Sequence, residues 1–173
     1  MTMPRVERLL RPLHGHLAIL GPEEDLFDVL GEIDALVCPV NLRGSAGGGF
    51  MRALGRHFPQ ELKLYQEAAR AGRVTCGKLL VVRGAAQQTD LFFLPTMPTW
   101  RGPAELEWVR LGLDAIVEEV QRREIGALAM PAIGCGNGGL SWPTVLGLIR
   151  AAAGRMRQAR VLVYEPRPPS TPR

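Results

Sequence analysis

The chain has 173 residues and a mass of 18.9 kDa, which is the size of one domain. Apolar residues make up 46% and charged residues 22%, which excludes a disordered, collagen-like or coiled-coil chain, and no apolar run reaches the ~18 residues of a membrane span. The net charge is +4, but no run of about five like charges forms a basic arm for nucleic acid. The scattered arginines indicate either a solvated surface or a preference for a ligand that carries phosphates.

Short apolar runs alternate along the chain with segments of helical periodicity. The apolar runs predict strands at residues 16–20, 35–40, 79–82, 91–94, 127–133 and 161–164. The periodic segments predict helices at residues 50–57, 60–71, 103–124 and about 141–156, and residues 25–30 are predicted to be a short connector. Because the strands are apolar throughout and alternate with helices, we expect an α/β fold with a largely parallel sheet covered on both faces.

Two glycine-rich loops, 41–49 and 134–139, each follow a predicted strand and precede a predicted helix. Glycines let the backbone approach a ligand closely, and helix N-termini attract anions. The second loop has the G-x-G-x-x-G spacing of a dinucleotide site, but the sequence after Glu165 is too short for the further strands of such a fold. The narrower prediction is a phosphate-binding loop at each of the two positions.

The cysteines and histidines lack the paired spacing of a metal site, so we expect neither a metal nor a cofactor. Free thiols and a start without a secretory signal favour a cytoplasmic protein. Cys135 has no histidine nearby in sequence to act as a base, which favours a role in shaping the loop. Trp100 and Trp142 flank loops and suit either stacking on a ligand ring or packing, whereas Trp108 fits the core side of a helix.

Several motifs, in the right order, resemble those of a macro domain. They are Asp34–Val37, Val40–Gly44, Ala46–Gly49 and Pro131–Trp142, with Asp25–Phe27 and Pro95–Arg101 as further matches. The resemblance is strongest to the branch that holds terminal ADP-ribose protein glycohydrolase and the DarG-type proteins that remove ADP-ribose from DNA, since residues 134–142 meet its pattern G-C-G-x-x-x-L-x-W. It implies a three-layer α/β/α fold with a mixed, largely parallel sheet. The expected single domain covers residues 1–165, with 1–15 as an N-terminal extension and 166–173 as a disordered proline-rich tail.

The resemblance also implies a ligand, ADP-ribose, either free or attached to DNA or protein, and a monomeric protein without a membrane partner. Asp25 would accept a hydrogen bond from the adenine amino group, and Asn41 would face the distal ribose. The two glycine loops would wrap the diphosphate with their N–H groups. The ligand-binding residues implied in this way are Asp25, Leu26, Asn41, Gly47, Gly48, Gly49, Phe50, Thr96, Gly134, Cys135, Gly136, Asn137 and Gly138.

Two positions depart from the branch where the chemistry takes place. The lysine that follows the Pro-Thr pair in the branch is Met97 here, and the aspartate of the glycohydrolase loop is Gly138, as it is in DarG-type proteins. Met97 can neither attack the anomeric carbon nor donate a proton, so the catalytic residues are left open. The sequence is compatible with an ADP-ribosyl glycohydrolase that uses a fixed water, with a silent reader or sequestering module, and with a scaffold whose pocket is vestigial.

Overall fold

Six strands form one sheet within residues 16–85 and 88–167, the part of the chain that the computed structural model describes. The strands are β1 (Leu17–Leu20), β2 (Ala35–Asn41), β3 (Leu80–Val82), β4 (Asp90–Met97), β5 (Ala127–Met130) and β6 (Arg160–Tyr164). The predicted extension, 1–15, and most of the predicted tail, 168–173, lie outside the described residues. No helix within the described ranges combines the length and apolar character that a membrane crossing requires.

The helices of the described ranges connect these strands. They are a 3₁₀ helix (Leu26–Glu32), α1 (Gly49–His57), α2 (Pro59–Arg70), α3 (Leu106–Arg122) and α4 (Trp142–Arg155). Helix α3 forms because apolar residues recur at steps of three and four, and this stripe is buried in the core: Val109, Leu113, Ile116, Val117 and Val120. The predicted connector at 25–30 is instead the 3₁₀ helix, whose buried Leu26, Val29 and Leu30 have helical spacing.

The strand order is β1-β6-β5-β2-β4-β3, and every adjacent pair is parallel except β3 with β4. The prediction of a mixed, largely parallel sheet is therefore confirmed. The carboxyl ends of β1, β6, β5, β2 and β4 all lie at the same edge of the sheet. Both glycine loops leave from this edge.

Helices cover both faces of the sheet and enclose two hydrophobic cores. The 3₁₀ helix, α1 and α2 pack on one face, and α3 and α4 pack on the other. Strand β2 serves both cores, because Leu36 and Cys38 point to the first and Ala35 and Val37 point to the second. This arrangement is the three-layer α/β/α fold that the resemblance implied.

The sheet opens at its carboxyl edge between β2 and β5. In the described part of the chain these strands pair only at Ala35 and Leu36 of β2, although β2 continues to Asn41. Pro39, which has no N–H group to donate, lies in the part of β2 that pairs with β4 but not with β5. The helix that follows β2 packs on one face and the helix that follows β5 packs on the other, which makes this junction a topological switch point. Crevices at such junctions bind ligands in α/β proteins.

Two strand ends differ from the prediction by three residues each, and both differences affect the site. Strand β5 ends at Met130 rather than at residue 133, because Pro131 has no N–H for the sheet. Strand β4 continues beyond residue 94 to Met97, because its parallel pairing with β2 extends to Asn41. The first difference frees Pro131 and Ala132 to join the second glycine loop.

Candidate functional site

A cavity of about 640 Å³ lies at the switch point, between the two glycine loops. This volume is within the range of small-molecule sites, roughly 300–1,000 Å³. The residues that line it are Pro39, Val40, Asn41, Ser45, Gly47, Gly48, Gly49, Phe50, Met51, Thr96, Met97, Trp100, Pro131, Ala132, Gly134, Gly136, Asn137 and Gly138. None of these lining residues carries an ionisable side chain.

The first wall of the cavity is the N-terminus of α1. Gly48 caps this helix without a side-chain hydrogen bond, and the first turn contains no acidic residue. The N–H groups of Gly47–Phe50 donate to no acceptor within the described part of the chain. A Cβ added at Gly47, Gly48 or Gly49 meets no atom within 4 Å, and none of the three has a positive φ. The fold itself therefore does not require glycine here, whereas a ligand that approaches the backbone would.

The second wall is the loop after β5, and it is held by its own backbone. Gly134 has a φ of +72°, its carbonyl accepts a hydrogen bond from the N–H of Leu140 at 3.0 Å, and Cys135 donates to Ala132. The N–H groups of Gly136–Gly138 have no acceptor among the described residues. Both walls therefore carry successive N–H groups without an acceptor among the described residues, a feature that they share with anion-binding loops.

Gly138 is the tightest position of the second loop. A Cβ there lies 2.6 Å from the Cβ of Ala104 and 2.6 Å from the carbonyl oxygen of Gly134. The Gly138 carbonyl also accepts a hydrogen bond from the N–H of Ala104 at 3.0 Å. The loop therefore has no room for the aspartate that the glycohydrolase of the resembling branch carries at this position.

Asn41 ends β2 and organises the loop that follows it. Its Oδ1 accepts hydrogen bonds from the N–H groups of Arg43 at 2.9 Å and Ser45 at 3.3 Å, and its Nδ2 donates to the Ser45 carbonyl. The hydroxyl of Tyr65 donates to the Asn41 carbonyl, and burial raises the pKa of Tyr65 to about 12. These contacts leave one Nδ2 hydrogen of Asn41 without an acceptor among the described residues.

Met97 at the end of β4 and Trp100 in the loop after it also line the cavity. Met97 ends β4, and its carbonyl accepts a hydrogen bond from Leu42 at 3.2 Å. Trp100 lines the cavity with 49% of its surface exposed, and the guanidinium carbon of Arg101 lies 4.4 Å from the centre of the indole ring. Trp142, the other stacking candidate, instead packs against the second core, and Trp108 is half-buried on α3.

The macro domain family model matches residues 37–149 of the chain. The chain belongs to the macro domain family. The DNA ADP-ribosyl glycohydrolase of Thermus aquaticus is 38% identical to it over 136 residues, which are 78% of this chain and 38% of that protein. This macro domain thus spans about two-fifths of the length of the curated relatives it matches.

Solved macrodomains share its fold. The macrodomain of Mycobacterium tuberculosis DarG superposes with a TM-score of 0.79 at 30% identity, over 88% of this chain and 99% of that one. Thermosipho africanus DarTG in complex with ADP-ribose superposes with a TM-score of 0.81 at 27% identity, over 92% of this chain and 44% of that one.

Ten of the thirteen residues predicted to bind ligand line the cavity of this macro domain, and three do not. Asp25 is exposed, and its carboxylate accepts a hydrogen bond from the N–H of Phe27 at 3.0 Å, which caps the 3₁₀ helix. Leu26 is buried in the first core. Phe27, whose N–H donates to Asp25, packs its ring 5.6 Å from that of Phe50, a lining residue.

Cys135 belongs to the second loop but turns away from the cavity. Its thiol contacts the Ile133 carbonyl, and burial raises its pKa to about 11. A thiol with such a pKa is protonated near neutral pH and is a poor nucleophile. The structure therefore supports the interpretation that Cys135 shapes the loop.

Six lining residues had not been predicted as site residues: Pro39, Val40, Ser45, Met51, Pro131 and Ala132. Val40 is buried in the first core, as its apolar strand predicts, and Pro39 is half-buried; both also border the cavity where the sheet opens beside β2. Pro131 could have been predicted as a loop residue from the sequence, because a proline cannot continue a central strand.

Proposed function

We propose that this macro domain binds ADP-ribose, with the diphosphate between the two glycine loops. The observation that carries this proposal is the pair of facing walls, Gly47–Phe50 and Gly136–Gly138, whose N–H groups donate to no described acceptor. Two sets of free donors and a helix N-terminus suit a ligand with two adjacent negative charges. The complex of the Thermosipho relative with ADP-ribose supports the same ligand.

The ligand lies along the carboxyl edge of the sheet in this proposal. Adenine occupies the end near Asp25 and Phe50, and the distal ribose occupies the end near Asn41 and Met97. The macromolecule that carries the ADP-ribose is DNA or protein. A cytoplasmic location and a monomeric state remain parts of the same proposal.

We further propose that the domain reads ADP-ribosylated targets and does not cleave them by a lysine-dependent route. Met97 occupies the end of β4 next to the predicted distal-ribose position, and the lining residues contain no ionisable side chain that could act as an acid or base. Hydrolysis by a water held between the loops is the second candidate. It is favoured by the activity named for the Thermus relative, DNA ADP-ribosyl glycohydrolase.

Calorimetric titration with ADP-ribose tests the binding proposal. We expect binding by the wild type and a weakening of about tenfold or more in Gly48→Ala, because a methyl group in front of the loop disrupts charge-assisted hydrogen bonds. The φ of Gly48 is −73°, which alanine adopts without strain. Gly147→Ala in the middle of α4, which also meets no atom within 4 Å, is the matched control and should bind normally.

Thermal melting gives an independent readout of the same proposal. At about 100 times the dissociation constant, a ligand stabilises the native state by about 2.7 kcal/mol, which is a shift of several degrees for a domain of this size. Absence of both heat and melting shift at millimolar ADP-ribose contradicts the proposal, as does equal affinity in Gly48→Ala and Gly147→Ala.

A further inference from the structure

Trp100 and Arg101 form an exposed cationic and aromatic pair at the rim of the cavity. Trp100 is one of the few large apolar side chains that the described part of the chain leaves half exposed. The guanidinium of Arg101 lies over its ring, and the N–H of Gly102 closes the turn on the Thr99 carbonyl at 3.1 Å. No packing contact with a core accounts for this indole, since Trp100 belongs to neither hydrophobic core.

The position of the pair along the sheet edge relates it to one end of the proposed ligand. Asp25 follows β1, and Trp100 follows β4, four strand steps away in the sheet order. Four steps correspond to roughly 19 Å at about 4.8 Å each. With adenine at the Asp25 end, the distal ribose and any group attached to it point toward Trp100.

Two exposed arginines, Arg43 and Arg101, lie within two residues of cavity-lining residues in the sequence. Arg43 is exposed and lies between the lining residues Asn41 and Ser45, and neither Arg43 nor Arg101 forms an ion pair with any described residue. Some arginines elsewhere on the surface form ion pairs, as Arg110 does with Glu107 at 2.6 Å, whereas others, such as Arg150, form none with a described residue. The rim thus combines an aromatic face with cations that are available to phosphates.

We propose that Trp100 and Arg101 form a stacking platform for the nucleobase of an ADP-ribosylated nucleic acid, with Arg43 at the adjoining phosphate. This inference rests on the proposed function and adds the kind of macromolecule, a nucleic acid, that carries the ADP-ribose. Bases stack on exposed aromatic rings and on guanidinium planes, and their phosphates attract arginines. A carboxylate or hydroxyl side chain of an ADP-ribosylated protein offers no ring to this platform.

Binding is compared for three probes: free ADP-ribose, a single-stranded oligonucleotide with one ADP-ribose on an internal base, and a peptide with ADP-ribose on a glutamate. The readout is the ratio of the affinity for the oligonucleotide to that for free ADP-ribose. Because base stacking contributes about 5- to 100-fold, we expect Trp100→Ala to lower this ratio by that factor. Trp100→Phe, which keeps a ring, should retain most of it, and Leu106→Ala, a control at another exposed apolar residue, should retain all of it.

The phosphate contact has a separate readout in salt. Arg43→Ala should reduce the slope of log affinity against log salt by about 0.7, the value for one phosphate contact on a single strand. Arg150→Ala, at an exposed residue of α4 outside the cavity, is the control that should leave the slope unchanged.

Two results would overturn the platform. One is an unchanged ratio in Trp100→Ala, and the other is wild-type protein that binds the peptide probe as tightly as the oligonucleotide. Failure of free ADP-ribose to bind would instead contradict the proposed function, so the two failures are distinguishable.

Discussion

Met97 lies directly across from Asn41 at the point where the parallel pairing of β2 with β4 ends. The N–H of Leu42 donates to the Met97 carbonyl at 3.2 Å and fixes the two strand ends together. The side chain at position 97 therefore lines the cavity beside the asparagine that is predicted to face the distal ribose. In the branch that the sequence resembles, a lysine occupies this position.

Met97→Lys should introduce the lysine of the resembling branch at the end of β4. A lysine at this position can attack the anomeric carbon as the free amine or donate a proton to the leaving group as the ammonium, and acid–base or covalent assistance commonly contributes ~10²–10⁴-fold. We expect release of ADP-ribose from modified DNA or protein to rise by at least about tenfold over a slow or silent wild type. Release is measured by mass spectrometry on both kinds of substrate.

Met97→Leu is the control for this substitution, because it preserves apolar volume without adding a donor. It should bind ADP-ribose and remain inactive. If the wild type releases ADP-ribose rapidly and Met97→Leu does so at the same rate, the proposal that the domain only binds its target is refuted. Cleavage by a water held between the glycine loops would then be supported. Pro98 restricts the backbone at position 97, so the gain in activity also reports whether the new ammonium reaches the ribose.

Asp25 has two separable roles, a helix cap that the structure shows and a predicted contact with adenine. Asp25→Ala removes both, so it should lower stability by about 1 kcal/mol and weaken ADP-ribose by about tenfold or more. Asp25→Ser keeps an oxygen for the Phe27 N–H but has no carboxylate. It should restore stability while leaving the affinity low, as measured by melting and titration. Full affinity in either variant would mean that Asp25 does not contact the ligand.

Gly138 should tolerate no side chain, whereas Gly136 should tolerate one. Gly138→Ala drives a Cβ into Ala104 and the Gly134 carbonyl, and such overpacking costs about 1–3 kcal/mol. Gly136→Ala meets no atom within 4 Å and should fold with unchanged stability. Chemical denaturation of the two variants measures the difference. Equal stability would show that the loop can move away from Ala104.

Stability at high pH should depend on Tyr65. Burial raises its folded-state pKa to about 12 from the ordinary value of about 10. The stabilisation that this shift provides is present below pH ~10 and is lost as the pH rises toward 12. Tyr65→Phe should therefore cost about 1–2 kcal/mol at pH 8, through loss of the hydrogen bond to the Asn41 carbonyl.

That cost should shrink as the pH rises above 10, which urea unfolding at several pH values detects. Burial also raises the pKa of the Cys38 thiol, but this contribution is common to both proteins and cancels in the comparison. An equal difference between wild type and variant at pH 8 and pH 11.5 would contradict the role of Tyr65.

Most of the fold could be predicted from the sequence because local pattern and burial agree. Helix α3 is an example, since its apolar spacing alone identifies the buried face. The errors fall where pairing with a distant strand decides the boundary. The extension of β4 to Met97 depends on β2, and the antiparallel direction of β3 has no local signal.

The candidate site was only partly accessible to such reasoning. The glycine loops could be predicted because each run of glycines follows a predicted strand and precedes a predicted helix, where the backbone can approach a ligand closely. The role of Asn41 in bonding Arg43 and Ser45, and the crowding of Gly138 by Ala104, depend on atoms brought together by the fold. The Cys135 side chain does not line the cavity, and this too depends on contacts that only the folded chain brings together.

The opening between β2 and β5 divides the sheet into two three-stranded halves, β1-β6-β5 and β2-β4-β3, which pair only at one end. At the closed end, Asp34 accepts hydrogen bonds from the N–H groups of Gly126 and Ala127 at 2.8 and 2.9 Å. At the open end, no strand pairing joins the two halves beyond Leu36 in the described residues. A ligand that accepts hydrogen bonds from both loops would connect the two halves of the sheet at this open end. Its binding should slow the exchange of amide hydrogens most at the loop N–H groups and progressively less toward the closed end.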